Sequence, residues 1–149
     1  MMATAGVVRA LRAAHLHDAS RQALLQMACD RIRSWGPPYT SAYAYMLHDG
    51  ELVLEAHAGR DTEHVRIPVG AGVCGTAVAE KADQNVPDVT AVGNYLACNA
   101  FTKSELVVLI RRGDHILGQI DIDSDVRDGF GEREHADVKT VADALAVLL

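Results

Sequence analysis

The stretch Ala42–Leu54, AYAYMLHDGELVL, decides the architecture. Ala42 to Leu47 is an apolar run carrying two tyrosines, and Leu52 to Leu54 is a second. Between them stands His48-Asp49-Gly50-Glu51. An Asp-Gly pair tolerates the positive φ that a tight antiparallel turn requires, so the stretch predicts a β-hairpin. Upstream the period is helical. Val7 to about His17 reads as a helix with Arg9 and Arg12 on one side. Asp18 or Ser20 is the candidate N-cap of a second helix, in which Leu24, Ala28, Ile32 and Trp35 fall on one stripe. Gly36-Pro37-Pro38 ends it, because proline cannot extend the hydrogen-bond ladder.

Downstream of the hairpin, Val65, Ile67 and Val69 alternate before Gly70-Ala71-Gly72. A short helix is expected from Cys74 to Lys81, a strand from Gln84 to Val89, and a loop from Ala91 to Lys103. Two apolar runs, Leu106 to Ile110 and Ile116 to Ile122, flank a turn at Arg112-Gly113-Asp114, and Arg111-Arg112 reads as its solvated shoulder. Phe130 to Leu149 closes the chain as a helix with Val138, Val141, Ala142, Leu145 and Leu148 on one stripe. Central strands with helices at both ends predict an α+β fold, a central antiparallel sheet with N- and C-terminal helices packed on one face. A mixed α/β sheet is the competing arrangement.

At 149 residues, with 49% hydrophobic and 23% charged residues, the sequence fits a single domain spanning 1–149. The net charge of −6 opposes nonspecific nucleic-acid binding. No apolar run approaches the roughly 20 residues that span a bilayer, so no membrane association is expected. The start, MMATAGVVRALRAAH, lacks the basic n-region of a secretory signal. A cytoplasmic, reducing setting is therefore expected. The cysteines number 3, too few and too odd for a disulfide framework, and are either inert or redox-active.

Cys98 lies in a polar loop with Asn94, Asn99, Thr102 and Lys103. It reads as buried filler or, with Lys103 favouring its thiolate, as a nucleophile. Cys74 follows a glycine-rich turn at a helix start, where the positive end of the helix dipole stabilises a thiolate; core packing is the alternative. Cys29, between Ala28 and Asp30 within a helix, reads as filler. Asp121 and Asp123 alternate with Ile120 and Ile122, so the two aspartates share one face of a strand. They form either a solvent-facing strand edge or a pocket wall for a ligand ammonium group. Glu105 opens an otherwise apolar strand and invites the same question. His15 and His17 are too close in sequence to share a helix face for a metal, and no C-x-x-C, H-E-x-x-H or phosphate-cradling loop occurs. Neither a metal nor an organic cofactor is expected.

Taken together and in order, GVCGTA at 72–77, YLACNAFTKSE at 95–105 and IDIDS at 120–124 resemble the GAF domain, specifically its free methionine-(R)-sulfoxide reductase branch. The resemblance runs roughly from Tyr43 to Phe130. It implies that Cys98 attacks the sulfoxide sulfur. It also implies that Cys74 resolves the resulting sulfenic acid to a disulfide, which a thioredoxin-type reductant reopens. Glu105, Asp121 and Asp123 would hold the substrate and help protonate the departing oxygen. Tyr43, Tyr45 and Tyr95 would complete the substrate wall, and terminal helices would permit a homodimer. Three departures stand out. His64 occupies the place of a third cysteine of the family. SAYAYM replaces an NWxGFY-like segment, putting Ala42 and Met46 at its tryptophan and tyrosine positions, so Tyr43 and Tyr45 compensate only if they face the same way. NYLACN replaces GHIACD, with Tyr95 for histidine and Asn99 for aspartate. Two other readings are a non-catalytic small-molecule-binding GAF domain and a redox sensor that closes a Cys74–Cys98 disulfide.

Overall fold

A computed structural model describes residues 2–93 and 100–149. Its helices are α1 (Met2–Leu16), α2 (Arg21–Ser34), α3 (Gly72–Glu80) and α4 (Glu132–Leu148). The strands are β1 (Ser41–His48), β2 (Glu51–Ala58), β3 (Arg66–Pro68), β4 (Gln84–Val86), β5 (Ser104–Arg112) and β6 (His115–Ser124). They form one sheet in the order β3-β2-β1-β6-β5-β4, and every neighbouring pair runs antiparallel. The mixed sheet is thereby excluded, and the α+β architecture with terminal helices on one face stands.

Alternation along the central strands sorts two cores. Ala42, Ala44 and Met46 of β1, Ile120 and Ile122 of β6, and Leu106, Val108 and Ile110 of β5 face α1, α2 and α4. Tyr43, Tyr45, Val107 and Leu109 face the other way, toward α3. The terminal stripes are spent inside this structure: Leu24, Ala28, Ile32, Val138, Val141, Ala142 and Leu145 are all buried against the sheet. At roughly 25 cal/mol per Å² of apolar surface removed from water, such stripes are the main source of the fold's stability.

Local chemistry sets the boundaries. Asp49 (φ 48°) and Gly50 (φ 81°) both adopt positive φ, as a two-residue hairpin turn demands. Ser20, rather than Asp18, caps α2: its hydroxyl accepts from the Ala23 N–H at 3.1 Å. Asp18 instead takes the left-handed conformation (φ 62°) that ends α1. The strand expected over Gln84 to Val89 stops at Val86, because Pro87 has no N–H for the ladder. Asp88 then caps a single 3-10 turn, Val89–Ala91, by accepting from Thr90 N at 3.0 Å. Of the alternating Val65, Ile67 and Val69, only Ile67 is buried, and pairing with β2 is limited to Arg66–Pro68. The helix expected from Cys74 to Lys81 begins earlier, at Gly72, and Lys81 (φ 53°) terminates it. Part of the loop expected over Ala91 to Lys103 lies outside the described residues.

Arg111 and Arg112 lie at the solvated end of β5, as expected, and also reach two helix ends. Arg111 donates to Lys81 O at 2.7 Å, at the end of α3. Arg112 donates to Ala146 O at 2.7 Å and also to Leu149 O, at the end of α4. Helix C-termini leave carbonyls without partners and carry partial negative charge, so two guanidiniums beside them satisfy both needs. No described helix is long and apolar enough to cross a membrane.

Candidate functional site

The face of the sheet turned toward α3 carries the ionisable groups. On β6, Gln119, Asp121 and Asp123 point there by period two, and β5 brings Glu105 opposite Asp123 and Val107 opposite Asp121. From β1, Tyr43 pairs with Asp121 and Ser41 with Asp123. Glu105, Asp121 and Asp123 are only 3%, 1% and 1% exposed, so a solvent-facing strand edge is excluded. Burying carboxyls is costly unless they are protonated or hydrogen-bonded.

Cys74 comes to this cluster from above, in the first turn of α3. The chain can place it so close because residue 75 is glycine: a Cβ there would lie 2.5 Å from Pro68 O and 2.9 Å from Gly70 N. Gln119 ties the same turn down by donating from Nε2 to Cys74 O at 3.0 Å. The Cys74 thiol donates to Glu105 Oε2 at 3.7 Å. Sγ of Cys74 and one oxygen each of Glu105 and Asp121 all lie within 4.8 Å of one another. With His64, Ile67 and Val73 these side chains line a cavity of about 10 Å³, room for about one water.

Electrostatics follow from burial. Glu105 is held well above the ordinary carboxyl range, first by desolvation and then by the charge of Asp121. Asp121 is raised by desolvation, while hydrogen bonds involving Glu105 and Cys74 pull it back. Burial thus favours retention of a proton by the pair, with the larger upward push on Glu105. Cys74 is pushed well above the ordinary thiol value by burial and by the charges of Asp121 and Glu105. Burial and the neighbouring carboxyls thus act against the thiolate that a helix start favours. Cys29, under α2, is raised to about 12 by burial, and its thiol points at Ala56 O at 3.9 Å, in keeping with filler.

Tyr43 and Tyr45 do face the same way, toward the carboxyl side. Their hydroxyls donate to Arg60 O at 2.8 Å and His64 O at 2.7 Å, which fixes the segment after β2 over the sheet. Ala42 and Met46, at the positions the resemblance gives to pocket aromatics, lie on the helix side instead. Their replacement therefore alters the opposite core. Arg60 anchors the same segment through a bidentate pair with Asp125, 2.6 Å on each arm, and its guanidinium lies 5.2 Å from the Phe101 ring centroid. Cys98 and Tyr95 lie outside the described residues. Gln119 was missed in the sequence, although its alternation with Asp121 and Asp123 is a readable signal. The anchoring role of Arg60 has no such signal.

A sequence profile of the GAF domain matches residues 18–149, and the chain belongs to that family. Among its relatives, the Escherichia coli free methionine-R-sulfoxide reductase is 38% identical over 105 residues, which cover 70% of this chain and 63% of that one. Protein YtsP of Bacillus subtilis is 41% identical over 97 residues, covering 65% of this chain and 59% of that protein. The matched stretch thus spans about three fifths of the length of these two relatives. A solved structure of a type II free methionine-R-sulfoxide reductase from Thermoplasma acidophilum superposes with a TM-score of 0.82 at 38% identity, covering 86% of this chain and 91% of that one.

Proposed function

We propose that this GAF domain reduces free methionine-(R)-sulfoxide with electrons from its own thiols. The observation that carries the reading is the buried cluster in which the Cys74 thiol stands 3.7 Å from Glu105 and beside Asp121. It combines a redox-capable sulfur and two buried carboxyls, both pushed toward holding a proton, in one cavity. The likeness to free methionine-R-sulfoxide reductases supports it.

In this account Cys98 attacks the sulfoxide sulfur. Glu105 gives its proton to the oxygen as the S–O bond weakens. The protonated oxygen passes from the substrate sulfur to the Cys98 sulfur as methionine departs, and the Cys98 thiol proton replaces the one Glu105 gave. Cys98 is left as a sulfenic acid, the sulfoxide reduced by two electrons and the cysteine oxidised by two. Cys74 then attacks that sulfur; Glu105, to which its thiol donates at 3.7 Å, protonates the leaving hydroxide and takes the thiol proton in its place. Water leaves and a Cys74–Cys98 disulfide forms. An external dithiol of the thioredoxin type reopens it. Asp121 and Asp123 provide the negative wall for the substrate ammonium group, and Tyr43, Tyr45 and Tyr95 shape the rest. Methionine sulfoxide is far larger than one water, so its binding must widen the cavity.

The test is NADPH oxidation coupled through thioredoxin and its reductase. Wild-type protein consumes NADPH with free methionine-(R)-sulfoxide, and Cys98→Ser falls to background. Equal background rates for both proteins would overturn the reading.

A further inference from the structure

We propose that Cys74, Glu105 and Asp121 also form a binding site for a single thiophilic divalent cation of the Zn²⁺ class. The three donor atoms come from three separate elements, α3, β5 and β6, and converge within 4.8 Å of one another. A tetrahedral zinc with Zn–S of about 2.3 Å and Zn–O of about 2.0–2.2 Å requires a sulfur-to-oxygen separation of about 3.5 Å. The observed Cys74 Sγ to Glu105 Oε2 distance of 3.7 Å is close to that spacing, and the Asp121 oxygen lies within 4.8 Å of both.

A second observation points to a ligand. Asp121 is 1% exposed and lines the cavity, yet its Oδ1 has no hydrogen-bond partner among the described residues. An unpaired buried carboxylate oxygen is costly, and a cation in the cavity removes that cost. The cavity itself, about 10 Å³, suits a monatomic ion. One sulfur and two carboxylate oxygens leave a fourth tetrahedral position for water. Thiolate in the donor set favours Zn²⁺ or Cd²⁺, and three protein ligands are too few and too soft for Mg²⁺ or Ca²⁺. Binding displaces the thiol proton and the proton that burial favours on Glu105: the S–H and O–H bonds break, sulfur–metal and oxygen–metal bonds form, and the protons are released to solvent without any redox change. An ion here would occupy the space that the substrate needs, a consequence that rests on the reductase reading; the binding itself does not.

The experiment uses the full chain carrying Cys29→Ser and Cys98→Ser, which leaves Cys74 as its one thiol. The reduced protein is titrated with Cd²⁺ in the absence of substrate, and the thiolate-to-cadmium charge-transfer band is followed in the ultraviolet. The expected result is saturation at an equimolar amount of Cd²⁺ with proton release, displacement by Zn²⁺ and no displacement by excess Mg²⁺. Asp121→Asn in the same background is expected to weaken binding tenfold or more. A missing band, or displacement by Mg²⁺, or an affinity unchanged by Asp121→Asn, would overturn the site. Should Asp121→Asn fail to fold, the Zn²⁺ and Mg²⁺ displacements on the parent protein decide. Absence of sulfoxide reduction by the wild-type protein, with cadmium binding intact, would instead reject only the reductase reading.

Discussion

Glu105 is the residue on which the proposed chemistry turns. Burial pushes its carboxyl well above the ordinary range, and that shift has a measurable cost. Below its ordinary value of 4.5, both the folded and the unfolded chain hold the proton. Above it, the unfolded chain releases the proton and the folded chain does not. Wild-type stability therefore falls as pH rises, by up to about 1.4 kcal/mol per pH unit, until the raised folded value is reached. Glu105→Gln lacks this term. In urea denaturation the variant is expected to gain on wild type between pH 5 and pH 8, while sulfoxide turnover drops by about 10²-fold or more. Parallel stability curves would show that Glu105 is ionised in the folded protein. Cys74 illustrates what the sequence could not reveal at this scale. Its place at a helix start is readable locally and favours a thiolate. Its carboxyl neighbour, Glu105, lies 31 residues away, and its burial depends on how α3 meets the sheet.

At the scale of elements, the start of α3 sets the height of Cys74 above β5 and β6. Gly75 permits that approach because its missing Cβ leaves room for the backbone of Pro68 and Gly70. Backbone cannot swing aside as a flexible side chain can. Gly75→Ala is expected to cost about 1–3 kcal/mol in denaturant unfolding. It is also expected to push Cys74 away from Glu105, so that a thiol reagent modifies Cys74 faster in the native protein than in wild type. Unchanged stability and unchanged thiol reactivity would contradict this role. Strand faces were legible where side chains alternate: Asp121 and Asp123 share a face, as do Tyr43 and Tyr45. Element ends were less so. Pro87 cut a strand short, and the distant carbonyls of α3 and α4 claimed two arginines that looked like turn residues.

Across the whole molecule, one sheet separates two cores with different work. The helix side, built from Ala42, Met46, Ile122, Val141 and Leu145, is mainly apolar, with the buried Thr4–Asp137 hydrogen bond between α1 and α4, and supplies stability. The α3 side mixes aromatic packing with buried carboxyls and a thiol. The α+β class followed from the change of period between Trp35 and Ala42. Strand order did not, because β1 lies between β2 and β6, and the β6 partner is some eighty residues further along the chain, beyond the reach of local signals. The central claim is that thiols of this chain, acting in the α3-side cavity, supply the electrons for sulfoxide reduction. It is tested most directly in a single turnover. Fully reduced protein is mixed with an equimolar amount of free methionine-(R)-sulfoxide without any external reductant, and both methionine and the state of each cysteine are measured. Stoichiometric methionine, a Cys74–Cys98 disulfide and Cys29 still a free thiol are expected. Absence of methionine, or methionine formed while Cys74 remains a thiol, would contradict it.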